Sequence, residues 1–333
     1  MDVDAFVAAH RAEWDRLEVL SRRSGRLTGA EVDELVDLYQ RAATHLSTVR
    51  SAAPDPALVA RLSTLVARGR AAVTGTHAPA WRDVTHFLAA GFPAAVYRAR
   101  WWAVGAAAGF LLVAFALGWW VAVTPDVQAA IAAPEQIRQL VEEDFEDYYS
   151  SNPAASFAAQ VWTNNAWVAA LCIAFGGLLG LPVLWVLLQN AANIAVAGGL
   201  MAAYGRLDLF FGLILPHGLL ELTAVFVAAG VGLRLGWTVV APGDRPRGTA
   251  VAAEGRAAAG VALGLVLVFL LAGVVEAFVT PSGLPTWARV GVGVVVWAGF
   301  VGYVGGPGRR AALAGETGDV EATAQEDRAP VAP

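Results

Sequence analysis

LFFGLILPHGLLELTAVFVAAGVGL, residues 209–233, decides how this chain folds. At 25 residues it is long and apolar enough to cross a bilayer as one helix. It nevertheless holds Pro216, His217 and Glu221 within six residues. Hydrocarbon penalises an imidazole and a carboxylate, and a proline removes a helical hydrogen bond. Such a trio is expected to face the interior of a helix bundle. His217 and Glu221 are four residues apart, so both lie on one face of the helix. Pro216 is expected to kink it and to free a carbonyl one turn earlier.

The rest of the 333-residue chain fits a polytopic membrane protein: 57% of its residues are hydrophobic and 15% charged. Apolar runs place six spans at about 102–123, 164–181, 184–204, 209–233, 257–279 and 288–306. The apolar stretch 164–205 is twice the length of one span, and Gly180 and Pro182 mark the turn that divides it. All 23 basic residues are arginine. With a cytoplasmic amino terminus and six crossings, Arg98, Arg100, Arg234, Arg245, Arg247, Arg256, Arg309 and Arg310 fall inside, against Arg138, Arg206 and Arg289 outside. Merging 164–205 into one crossing would put four of those arginines on the wrong side. Both termini are therefore expected in the cytoplasm, with the first span as an uncleaved signal-anchor.

Residues 1–100 read as a cytoplasmic and interfacial helical region. Phe6, His10, Trp14, Leu17 and Leu20 mark one helix face, and Thr28 with Glu31 forms a capping box for a second helix. Pro54-Asp55-Pro56 opens a third, and Trp81 to Tyr97 reads as a helix in the headgroup region. His10, His45, His77 and His86 share no ligand spacing and read as helix-face or surface residues. Cys172, the one cysteine, sits in an apolar run and reads as a small hydrophobe. Residues 124–163 form an outer segment with seven acids against Arg138, and Glu142 to Pro153 reads as a docking surface. The acidic tail 309–333 reads as disordered and cytoplasmic. No region is basic enough for nucleic acid.

Counting about 1.5 Å per residue puts His217 about 12 Å and Glu221 about 18 Å from the outer surface. Asn193, on the preceding span, falls at about 16 Å by the same count, so it can meet their face, with Asn190 one turn below. Asn164, Asn165 and Glu276 form a second layer nearer the outer surface. Three readings remain open for these groups: interhelical packing, a substrate or proton path, and an intramembrane metalloenzyme. The last needs a third ligand beside His217 and Glu221, and Glu276 counts as too shallow. The chain has no HExxH, no Gly-x-Ser-x-Gly and no Walker A loop. No catalytic residue, metal or cofactor is expected.

Asn164-Asn165 opening a span, Asn190 and Asn193 in the next, Pro216-His217-Gly218 with Glu221, and Glu276-Ala277 followed by Thr280-Pro281 together resemble the stage II sporulation protein M family. The resemblance covers roughly residues 95–310. It implies a multispanning bacterial plasma-membrane protein without an established catalytic activity of its own. In endospore formers the namesake joins a membrane complex with peptidoglycan-degrading enzymes. Relatives in other bacteria often lie near genes for a MoxR-like AAA+ ATPase and further membrane proteins. The implied role is a scaffold in contact with membrane lipid and envelope proteins, the alternative being a transporter or exporter that uses His217 and Glu221. The amino-terminal region is larger than the namesake's short leader, so the membrane architecture and polar core are what carry over.

Overall fold

The computed structural model describes residues 3–23, 27–52, 55–73, 80–145 and 154–319. Every regular element among them is helical. The chain forms two compact units, Met1–Asp83 and Val84–Pro333.

The first unit contains α1 (Val3–Arg22), α2 (Gly29–Ala52) and α3 (Pro56–Val73). The Thr28 N–H donates to Glu31 Oε2 at 2.8 Å, and the Glu31 N–H donates to Thr28 Oγ1 at 3.4 Å. This reciprocal cap satisfies two amide donors at the start of α2 that have no partner within the helix. Asp55 accepts the Ala57 N–H at 3.0 Å, and Pro56 opens α3, where a missing N–H costs nothing. Trp14, Leu17, Leu20, Leu35, Leu38, Leu46, Leu58, Leu62 and Leu65 fill the core at the expected helical spacing. Val32, one residue after Glu31 in α2, is exposed.

The second unit begins within α4 (Ala80–His86), which runs through a π-helical turn (Phe87–Gly91) into α5 (Phe92–Val123). Then come α6 (Pro125–Ile131), α7 (Pro134–Gln139), α8 (Ala154–Ala174), α9 (Leu181–Ala203), α10 (Leu207–Val240), α11 (Arg247–Phe278), α12 (Thr286–Tyr303) and α13 (Arg309–Leu313). Among the described residues, five helical segments are long and apolar enough to cross a membrane: Asp83–Val123, Leu181–Ala203, Leu207–Val240, Arg247–Phe278 and Thr286–Leu313. They correspond to five of the six expected spans. The other, at 164–181, falls on α8, a 21-residue helix whose apolar character is diluted by Gln160, Asn164 and Asn165. The division of 164–205 lies where Gly180 and Pro182 indicated. Leu179 and Gly180 both take positive φ there, and Pro182 sits in the first turn of α9.

Small residues set the helix spacing. α10 is the most buried helix, and its glycines lie against neighbouring backbone. A Cβ at Gly230 would overlap Ala103 of α5, one at Gly232 the Cys172 carbonyl of α8, and one at Gly236 the Leu179–Gly180 turn. Gly176 faces Gly232 in the same seam. Such approach of backbones replaces the large-residue interlock of a water-soluble core. The Gly105/Gly109 spacing makes no such seam, since a Cβ on either residue would meet open space.

Three boundary expectations need correction. Residues 87–97 are no separate interfacial helix: Phe92 to Val96 are buried, Pro93 lies against Gly308, and Tyr303 donates its hydroxyl to the Leu88 carbonyl. The segment after α5, expected on the outer side, is partly folded, with Ile137 and Val141 packed in a cluster with Val121, Leu200, Met201 and Phe210. Residues 146–153, which include most of the expected docking surface, lie outside the described residues. The tail is structured at its start: α13 leads to Asp319, whose carboxylate accepts both Arg256 Nε and Nη2 at 2.7 Å. Residues 320–333 lie outside the described residues.

A buried histidine–glutamate site in the membrane bundle

α10 carries Pro216, His217 and Glu221 inside one unbroken helix. Pro216 is tolerated because the helix continues through it and α12 packs on it, Gly293 leaving room for its carbonyl. His217 is 4% exposed. Its Nδ1 lies 3.2 Å from Thr280 Oγ1, and its Nε2 lies 3.6 Å from Glu276 Oε1. Glu276 is 2% exposed, and its other oxygen, Oε2, is buried with no hydrogen-bond partner. Glu221 is partly buried and accepts a hydrogen bond from Asn165 Nδ2 of α8. One ligand atom from each of His217, Glu221 and Glu276 falls within 4.8 Å of the other two.

The site therefore joins α8, α10 and α11, and the Thr280 loop brings in α12. Thr280 is fully buried. Its carbonyl accepts Arg289 Nη1 at 2.7 Å, while Arg289 Nη2 donates to Thr286 Oγ1 at 3.1 Å. Farther along α10, Trp297 Nε1 donates to Thr223 Oγ1 at 3.1 Å, tying in α12 again.

Of the residues expected at the polar core, Pro216, His217, Glu221, Glu276 and Asn165 come together. Asn164 is exposed and donates to the Asn165 side chain at 3.4 Å. Asn190 turns back on its own helix and donates to the Val186 carbonyl at 2.8 Å. Asn193 is exposed, so the expected meeting with His217 and Glu221 is corrected. Depth was the wrong coordinate: it ignores rotation about the helix axis, which points Asn193 away.

The placing of Glu276 in a separate, shallower layer is corrected too. His217 lies ten residues into α10, about 15 Å along its axis, whereas Glu276 lies two residues from the end of α11, about 3 Å. Their contact means that the two helix ends are staggered by about 12 Å. Thr280 and Arg289 were missed as site residues. Thr280 was visible only through its place in the Glu276-Ala277…Thr280-Pro281 element.

A second cluster appears in the first unit. The rings of His10 and His45 lie 4.0 Å apart, His10 Nδ1 is 3.6 Å from Glu13 Oε2, and Trp14 Nε1 donates to His45 Nδ1 at 3.2 Å. His10 and His45 share no ligand spacing in the sequence. The α1–α2 register, visible in the Arg16–Glu34 and Glu13–Arg41 ion pairs, brings them together. Burial and the nearby His10 push the His45 pKa below its ordinary value.

A bundle of long apolar helices closed around ionisable side chains defines a multi-pass α-helical membrane protein. The family model for Stage II sporulation protein M matches residues 107–281, just over half the chain, and the chain belongs to that family. The match includes His217, Glu221, Glu276, Asn165 and Thr280. Residues 4–75 match a Domain of unknown function (DUF8413), which coincides with the three-helix unit. No curated protein and no solved structure matches the chain.

Proposed function

We propose that this protein is a non-catalytic scaffold of the bacterial plasma membrane, with both termini in the cytoplasm, that organises an envelope-associated complex. The observation that supports this reading most is the way the polar residues are used. Asn165 donates to Glu221, and His217 lies against both Thr280 and Glu276, which links α8, α10 and the end of α11. Groups arranged in this way hold helices in one packing, and a scaffold needs a fixed face to present to partners. The amino-terminal three-helix unit offers a cytoplasmic partner a separate surface, and a MoxR-like AAA+ ATPase is the candidate suggested by the family. Envelope proteins would meet the segment between α5 and α8.

Crosslinking and affinity purification from native membranes test the reading, with wild type and Glu221→Gln compared. A defined partner set from wild type that is lost or changed in the variant supports it. Full, stable assembly by Glu221→Gln counts against it. An isolated protein in both samples would favour transport, for which flux into proteoliposomes should be pH-dependent and should fail in Glu221→Gln.

A further inference from the structure

We propose that His217, Glu221 and Glu276 bind one divalent transition-metal ion of the zinc class within the membrane bundle. A metal site needs a third ligand beside His217 and Glu221, and the stagger of α10 and α11 supplies Glu276 as that ligand.

The geometry carries the assignment. Ligand atoms held about 2.0–2.1 Å from a tetrahedral zinc lie about 3.3–3.4 Å apart. His217 Nε2 and Glu276 Oε1 are 3.6 Å apart, and all three donors fall within 4.8 Å of one another. A small inward movement of the Glu221 carboxylate completes the arrangement. A water or a bidentate carboxylate would supply the remaining position.

The independent observation is Glu276 Oε2, a carboxylate oxygen shut away from solvent with no hydrogen-bond partner. Leaving such an acceptor unsatisfied is costly, and a cation between the carboxylates satisfies it. Charge agrees: two carboxylates and a neutral imidazole around a divalent ion sum to zero, the one total that an apolar interior tolerates cheaply.

The surrounding hydrogen bonds are those that orient metal ligands. When His217 Nδ1–H donates to Thr280 Oγ1, the ring presents the Nε2 lone pair toward the carboxylates, the tautomer that ligates a metal. Asn165 holds Glu221, and Arg289 holds Thr280 through its carbonyl. Mixed nitrogen and oxygen donors favour zinc and its first-row neighbours over calcium and magnesium, which take six or more oxygens. The ion would pin α10 to α11 as a staple.

The test uses the full chain purified in detergent, incubated with Zn²⁺ and freed of excess by gel filtration. Elemental analysis should find about one zinc per wild-type chain and near-background zinc in Glu276→Gln. Thr280→Val should weaken zinc binding by about 10–100-fold. His45→Ala controls for the cluster in the first unit and should retain the zinc. Zinc should also raise the melting temperature of the wild-type protein, a readout that needs no variant.

The assignment is overturned if wild type retains no zinc and its melting is indifferent to Zn²⁺. It is equally overturned if folded Glu276→Gln keeps the wild-type content, or if His45→Ala loses it. Should Glu276→Gln fail to fold, wild-type melting and the Thr280→Val affinity decide. The scaffold reading rests on partner recovery and can survive a negative result here.

Discussion

Two histidine–glutamate clusters occur among the described residues, and they differ chiefly in what surrounds them. His10, Glu13 and His45 lie between α1 and α2, with His10 and Glu13 side chains 29% and 32% exposed. His217 and Glu276 lie between α10 and α11, with side chains 5% and 3% exposed. The first cluster is partly open to water at its edge, although His10 Nδ1 and Glu13 Oε2 are themselves shut away, and its geometry is loose: tilted rings, a long ion pair and a shared Arg41. The second is shut away from solvent, so its groups depend on one another, and Glu276 Oε2 is left without a hydrogen-bond partner. The same chemistry is optional at one site and obligatory at the other.

Removing the imidazole at each site is the strongest way to break that comparison. His217→Ala strips the buried Glu276 of its neighbour and should cost about 3–5 kcal/mol of stability. His10→Ala, where water can enter, should cost about 1 kcal/mol or less. Thermal unfolding of the full chain in detergent, followed by a separate probe in each unit, measures both. Equal losses would show that burial is not what separates the sites.

The glycine seams come next. Gly232→Ala drives a methyl into the Cys172 carbonyl and should destabilise by about 1–3 kcal/mol. Gly105→Ala meets open space and should stay within about 0.5 kcal/mol of wild type. The first unit depends on local signals instead. Thr28→Ala should cost it about 1 kcal/mol, seen as faster amide exchange at the start of α2.

The smallest effect is a pH dependence confined to the first unit. Because the folded state holds the His45 pKa below 6.5, the unfolded chain takes up a proton more readily. This contribution to stability is complete above pH 6.5 and is lost as pH falls below it toward the folded pKa. Hydrogen exchange across α1 and α2 should therefore accelerate on acidification from pH 7 to 5. The His45→Gln variant should lose that acceleration, and an unchanged pH profile would refute it.

The two regions also differ in how far the sequence reveals them. In the first unit, helical spacing, the Thr28/Glu31 cap and Pro56 locate the helices and most of their core, because each signal acts within a few residues. In the second, the spans and the shared face of His217 and Glu221 follow from the same short-range rules. What closes the site does not. Glu276 depends on the offset between two helix ends, and Asn193 on the rotation of a third. Both quantities are set by which glycines meet which backbones, as Gly232 meets Cys172. Gly105 and Gly109 have the same four-residue spacing as Gly176 and Gly180, yet a Cβ on either of the first two would meet open space.

Thr280 divides its polar groups between two neighbours: the hydroxyl to His217 on α10, the carbonyl to Arg289 on α12. Substitutions at His217 and Arg289 should therefore be non-additive, with the double variant differing from the sum of the singles. A double-mutant cycle would read this coupling directly, and Thr280→Val should abolish it. The loop between α11 and α12 would then be a thermodynamic link through which a change at the base of α12 is felt at the imidazole.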